Sequence, residues 1–477
     1  MKTALALVTP LLLSAFCAGA SAQVPATQSP NHPPPASDPG VRAGSVGAGL
    51  PLATLSAAQM QYFLDGFNRF VEVDSVSGAV TGEPGSGLGP GFNATSCGAC
   101  HAQPFAGGSS PSMAAYPFIG PNPQIAAASD AGATNAIPTF ITADGPVRET
   151  RFPFVVSSSG NLTQIADGGV HDIYTVSGRS DAPGCNLAQP NYDQMQQLGN
   201  LIFRIPTPVF GAGLIENIAD AAIIANMNAN SGLKHQFGIS GHPNTSGNDG
   251  SITRFGWKAQ NKSLEIFSGE AYNVEMGVTN ELFPNKRANP PATCVFNGTP
   301  EDHTNFDAAG TQIPSDTVGF SVFMRFLAAP TPSNTGIPGN PPVQSIRNGQ
   351  SLFGQVHCDL CHTPSLQTTA SSLTAGLNTQ TAALYSDLLV HNMGTGLADQ
   401  ISQGAAGPDE FRTAPLWGVG QRIFFLHDGR ATPQNGGLLT AILAHSSQGS
   451  EASNVISSFR NLSEPQKQDL LNFLRSL

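Results

Sequence analysis

Cys97-Gly98-Ala99-Cys100-His101 and Cys358-Asp359-Leu360-Cys361-His362 are two copies of one pentapeptide, Cys-x-x-Cys-His. This is the attachment pattern of c-type haem. Two thiols three residues apart can each form a thioether to one vinyl group, and the histidine that follows lies under the iron as axial ligand. One copy could be a chance match or half of a zinc site, whereas two intact copies in one chain point to two haems. Cys97, Cys100 and Cys358, Cys361 are therefore read as the attachment pairs, and His101 and His362 as the proximal iron ligands.

The first residues agree with that chemistry. Met1-Lys2 precedes an apolar run through Leu11-Leu12-Leu13 to Ala18, followed by Ala20-Ser21-Ala22. This is the pattern of a signal peptide over residues 1–22, cleaved after Ala22. Phe16 stands where a lipoprotein site wants a small residue, so Cys17 is assigned to the discarded segment and no lipid anchor is expected. Covalent haem attachment takes place outside the cytoplasm in bacteria, so a periplasmic or secreted address is expected. No later apolar run reaches the ~18 residues of a membrane span. Of the seven cysteines, Cys185 and Cys294 then remain as a pair in an oxidising compartment. A disulfide between them is expected, against the alternative of two separate buried thiols.

Composition sets further bounds. With 52 Gly, 38 Pro and only 11% charged residues, long irregular connections should dominate, and a net charge of −11 argues against nucleic acid or anionic lipid as partner. A small neutral substrate or a basic redox protein suits that charge better. Residues 23–50, with Pro33-Pro34-Pro35, read as a disordered linker or arm. Order is expected from Ser56, which with Gln59 forms a capping box ahead of Met60, Phe63, Leu64, Phe67 and Phe70 at helical spacing. Ser463 and Gln466 form a second box ahead of Leu470, Phe473, Leu474 and Leu477.

The chain also repeats itself. Pro208-Val209-Phe210-Gly211-Ala212-Gly213 and Pro415-Leu416-Trp417-Gly418-Val419-Gly420 share Pro-x-aromatic-Gly-x-Gly, and Trp257 precedes Glu275 by the same 18 positions that separate His427 from His445. The expected fold is mainly α: two cytochrome c-like haem domains related by internal duplication, over 51–330 and 331–477. Long loops and small β insertions, around 110–200 and 217–250, enlarge the first. The linker from Pro330-Thr331-Pro332 to Pro341-Pro342 is the boundary.

Five segments carry a family resemblance: Ser96 to His101, Tyr272-Asn273-Val274-Glu275-Met276-Gly277-Val278-Thr279-Asn280, His391-Asn392-Met393-Gly394, Pro415-Leu416-Trp417-Gly418, and Leu426-His427-Asp428-Gly429-Arg430-Ala431. From about residue 90 to its end the chain resembles the di-haem oxidoreductases, also called thiol oxidoreductases. These are relatives of the bacterial di-haem cytochrome c peroxidases and, more distantly, of the di-haem rubber oxygenases. The resemblance implies that His445, standing where the peroxidases carry a methionine, gives the second haem its sixth ligand. A bis-His haem of lowered reduction potential results. Met393 is the competing ligand.

At the first haem the equivalent position is Glu275. The resemblance implies an open iron there, with Glu275 moving a proton from the inner to the outer peroxide oxygen, which suits a carboxyl of raised pKa. Trp257 is implied as an electron relay between the haems, although Lys258-Ala259-Gln260 departs from the peroxidases' Trp-Asp-Gly-Arg. A core aromatic is the alternative. Arg430, with His427, is assigned to propionate or interface contacts. Met113, Met195, Met227 and Met276 are candidates to close the first iron. His171, His235, His242, His303 and His357 read as solvated.

A calcium ion sits between the domains of the related peroxidases, which makes calcium the one further cofactor raised. The expected activity is peroxide reduction, with electrons from a periplasmic redox protein entering at the second haem. The alternatives are oxidation of an organic or protein substrate with dioxygen, and a non-catalytic carrier. No redox Cys pair is left over to justify the word thiol.

Overall fold

Two crossed helix pairs organise the chain in the computed structural model. It describes residues 33–44, 48–78, 80, 85–89, 94–112, 122–130, 132–157, 159–164, 178–187, 189–286, 290–310 and 312–477. The expected signal segment with Cys17, together with Met113 and His171, lies outside the described residues.

The first pair is Ala57–Val71 and Asp316–Phe326. Ser56 Oγ accepts the Gln59 N–H at 3.2 Å and Gln59 Oε1 accepts the Ser56 N–H at 3.0 Å, so the capping box forms. The helices meet at Gly66, where a Cβ would stand 2.4 Å from the Gly319 carbonyl oxygen, and only glycine allows that approach. Phe63 and Phe70 then reach Phe323, with ring centroids 5.5 and 4.7 Å away. Burying each such ring contributes about 1.5–3 kcal/mol.

The second pair is Val343–Gln355 and Glu464–Ser476. Its close approach is at Gly349, where a Cβ would lie 2.0 Å from the Asp469 carbonyl oxygen. The capping box at Ser463 and Gln466 is present, with Pro465 in the first turn.

The structure is mainly helical, with short two-stranded ladders. Glu149–Arg151 pairs antiparallel with Ile202–Arg204, placing Glu149 opposite Arg204. Val390–Asn392 pairs antiparallel with Glu410–Arg412. Ladders therefore occur in both halves of the chain rather than in the first alone. Gly- and Pro-rich connections that run through buried surroundings must pair their backbone groups, and short ladders do so. A disulfide joins Cys185 to Cys294, and the other described cysteines, Cys97, Cys100, Cys358 and Cys361, are free.

Two features differ from the sequence expectation. Residues 36–44, read as part of a disordered arm, are packed. The Ala36 N–H donates to Glu464 Oε2 at 2.7 Å, the Arg42 N–H donates to the Gly420 carbonyl at 2.8 Å, and Arg42 is only 1% exposed. Acceptors on the C-terminal helix supply partners that low hydrophobicity alone does not reveal. The core around Phe63, Phe70 and Phe323 also takes in Leu366, Leu384 and Trp417 from beyond Pro330, and residues 36–477 form one compact unit.

Candidate active site

Each Cys-x-x-Cys-His segment opens onto its own cavity. At the first, Cys97–Cys100 is a single helical turn and His101 follows it. The His101 Nδ1 lies 3.1 Å from the Gly108 carbonyl oxygen and the Thr207 backbone also hydrogen-bonds the ring, so a neutral ring that donates from Nδ1 would turn Nε2 to an iron. Burial pushes His101 down to about 4, keeping the imidazole neutral as a ligand must be. Phe70 sets its edge on the ring at 6.0 Å.

About 1170 Å³ of space lies beside this histidine, lined by Cys97, Cys100, Glu275, Glu270, Glu149, Arg151 and Arg204 among others. Glu275 ends the helix Leu264–Glu275, whose start is fixed by Ser263 accepting the Ile266 N–H at 3.2 Å. Burial raises its carboxyl to about 8, the charges of Glu149 and Glu270 add to this, and Arg151 opposes it. Met276 lines the same cavity, whereas Met195 and Met227 do not.

The second cavity, of about 1420 Å³, is lined by Cys358, Cys361, His362, Met393, Arg422, Leu438, Ile442, His445 and Phe459 among others. His362 Nδ1 lies 3.0 Å from the Tyr385 carbonyl and His445 Nδ1 lies 2.7 Å from the Ala441 carbonyl, so two Nε2 atoms remain free in one cavity. Burial lowers His362 to about 4, helped by nearby His445. Burial also lowers His445. His445 directly follows the helix Gly437–Ala444, and Phe353 packs on the His362 ring at 6.4 Å. His357, expected to be solvated, is half-buried and lines this cavity, held against Phe237 at 4.6 Å. His235 and His303 are exposed.

Trp257 lines both cavities and is 9% exposed. Its Nε1–H donates to the Ile205 carbonyl at 2.9 Å, and its ring meets His427 at 6.4 Å, which in turn stacks on Phe411 at 4.2 Å. The departure at Lys258 has a structural use: its ammonium sits 3.0 Å from Asp399, which also pairs with Arg204 at 2.7 Å. Arg430 lines neither cavity. It is half-exposed, paired with Asp428, and donates to the Gly396 carbonyl at 2.6 Å.

Other arginines suit a haem's carboxylates better. Arg151 Nη1 and Arg204 Nε at the first cavity, and Arg422 Nε and Nη2 at the second, are buried without a hydrogen-bond partner. Buried unpaired N–H groups are costly, and the propionates of a bound haem would satisfy them. Burial also raises the Cys97, Cys100 and Cys358 thiols, which disfavours thiolate redox chemistry. The residues present therefore fit two haems. Glu149, Arg151 and Glu270 belong to no motif. They reach the first cavity through strand pairing and helix phase, which spacing alone does not disclose. Among the described residues, one group of three His, Cys, Asp or Glu ligand atoms could share an ion, Cys361, Asp387 and His391. A sulfur and a nitrogen do not suit calcium, which takes oxygen.

The family model described as "Di-haem oxidoreductase, putative peroxidase" matches residues 166–477. The chain belongs to this di-haem oxidoreductase family. The match begins after Cys97–His101, so the first haem segment and Glu149 lie outside it. Two solved structures are similar at low level. One is a MauG-like protein associated with microbial copper homeostasis, 17% identical over 57% of this chain and 91% of that one, with TM-score 0.26. The other is Kuenenia stuttgartiensis hydrazine synthase, 16% identical over 35% of this chain, with TM-score 0.20. The match spans 56% of the hydrazine synthase chain. No curated protein matches the chain. Among the described residues no helix is long and apolar enough to cross a membrane.

Proposed function

We propose that this di-haem oxidoreductase is a periplasmic peroxidase with a reactive first site and an electron-transferring second site, built on two duplicated, covalently attached c-type haem domains. The observation that carries the reading is the contrast between the two cavities: the one that His101 lines presents Glu275, and the one that His362 lines presents His445. A bound haem supplies an iron that exchanges electrons and, where an axial position is free, accepts peroxide.

His101 and His362 hold the irons, each oriented by its Nδ1–H donated to a backbone carbonyl. His445 would hold the second iron from its other side, and the first site offers Glu275 there, which is not a ligand of that kind. Glu275, ionised, would accept a proton from bound hydrogen peroxide and return it as the O–O bond breaks. In total one hydrogen peroxide, two electrons and two protons give two waters, the electrons coming from a reduced periplasmic redox protein. Trp257, shared by both cavity walls, carries the electron path from the second site to the first.

Low-temperature electron paramagnetic resonance, on fully oxidised protein and after one electron per molecule, tests the reading. A high-spin ferric signal in either state, with peroxide turnover, is expected. Low-spin ferric signals alone, two in the oxidised protein and half of that intensity after one electron, without turnover, overturn it and leave a carrier, with Met276 the first candidate to close the iron.

A further inference from the structure

The helix that delivers His445 cannot cap itself. Gly437–Ala444 begins after Gly436 (φ 104°) and with Gly437 (φ 52°), both in the left-handed region, and no side chain of its own caps the start. An eight-residue helix with open N–H groups is marginal by itself. The Gly437 N–H is taken by the Thr432 carbonyl at 2.8 Å. The next N–H, of Leu438, is taken by a residue from the far end of the chain: Asp38 Oδ2 accepts it at 2.8 Å.

Asp38 is itself held firmly. Arg475 on the C-terminal helix donates to both carboxylate oxygens at 2.7 Å, and the side chains of the pair are 1% and 9% exposed. The same guanidinium donates to the carbonyls of Gly420 and Arg422 at 3.0 and 2.9 Å. One buried carboxylate thus ties together the helix preceding His445, the C-terminal helix, and the segment carrying the unpaired Arg422. Its charge also faces the positive end of the His445 helix. The fit leaves no slack, since a Cβ on Gly437 would lie 2.1 Å from Asp38 Oδ2.

We propose that Asp38 is a positioning residue for the second haem: a remote cap that keeps His445 on the iron. The packed arm of residues 36–44 is then part of the redox site rather than a tether. This rests on His445 being the sixth ligand.

The test uses the full di-haem protein and cyanide as the probe. Cyanide reaches a six-coordinate haem only when its axial ligand lets go, so the slow phase of cyanide binding reports release of His445. Asp38→Ala speeds that phase roughly five-fold, as expected for loss of a cap, while the first haem's phase stays unchanged. Asp38→Asn, which keeps an acceptor for Leu438 but loses the ion pair, falls between. Gly437→Ala, with Asp38 intact, also speeds the slow phase. Parent rates in Asp38→Ala, or in both other variants should that protein not fold, overturn the proposal. His445→Ala separates the two readings. If it leaves the second low-spin signal intact, the ligand assignment fails. If it abolishes that signal while Asp38→Ala and Gly437→Ala keep the parent rate, only the role of Asp38 fails.

Discussion

On their histidine sides the two cavities use the same parts. Each histidine gives its Nδ1–H to a backbone carbonyl, Gly108 for His101 and Tyr385 for His362. Each ring meets a phenylalanine from a neighbouring helix, Phe70 or Phe353, and that phenylalanine packs on a second one across the helix pair, Phe323 or Phe473. The rest of the two linings shares little. The first includes Glu149, Glu270, Glu275, Arg151 and Arg204, and the second includes His445 with Leu438, Ile442, Val455, Ile456 and Phe459. In the proposed reading the histidine sides are the common scaffold, and the rest of each lining sets the choice between reacting and relaying. A carboxyl raised to about 8 can exchange protons near neutral pH, while a neutral imidazole in an apolar wall can bind iron and exclude other ligands.

The sharpest way to break this contrast is Glu275→Gln. The amide keeps the shape but cannot accept a proton. Peroxide turnover is expected to fall about 10²–10⁴-fold with both haems retained, which corresponds to roughly 3–5 kcal/mol of barrier. Unchanged turnover would remove Glu275 from the chemistry. The same carboxyl predicts a pH dependence. Its value is raised, so it is neutral below about 8 and ionised above, and a proton acceptor must be ionised. The rate of reaction with peroxide should climb up to about tenfold per pH unit towards 8 and then level, and this limb should vanish in Glu275→Gln.

The next test acts on the other wall. His445→Met replaces imidazole by thioether and should raise the second haem's potential, on the order of 100 mV within the ~0.8 V that axial ligands span. Redox titration of the two haems reads it. A shift confined to the first haem, or none, would mean that His445 does not touch the iron.

What the sequence disclosed follows physical range. The haem segments, the capping boxes at Ser56 and Ser463, and the shared interval from Trp257 to Glu275 and from His427 to His445 are local or fixed in spacing, and all are visible in the chain. The Cys185–Cys294 disulfide joins the two cysteines of the seven that neither the haem segments nor the signal segment contain. The charged wall of the first cavity was not legible. Glu149 and Arg151 enter it by pairing with Ile202–Arg204 across a long connection, a register that no motif announces. The order of the arm is hidden from the sequence for a related reason. Its Pro- and Ala-rich composition offers no hydrophobic period, and its order comes from acceptors and donors on the C-terminal helix.

The smallest expected effect concerns the arginine that the sequence singled out. Arg430 stands in His427-Asp428-Gly429-Arg430, where the family resemblance implies a propionate or an interface contact. The structure gives its guanidinium to Asp428, two residues back, and to the Gly396 carbonyl, with the side chain 45% exposed. A partly exposed pair of this kind contributes little, so Arg430→Ala should change stability by less than about 0.5 kcal/mol and leave both potentials in place. Arg422 is the contrasting case: 7% exposed, beside the second cavity, with Nε and Nη2 unpaired. Its positive charge favours the reduced iron. Arg422→Gln should therefore lower the second haem's potential, on the order of 50 mV, given the few kcal/mol that a charge exerts at such range in a protein interior. Titrating the two variants side by side decides which guanidinium faces the haem carboxylates. A larger shift in Arg430→Ala would return the role to the motif and leave the buried Arg422 without one.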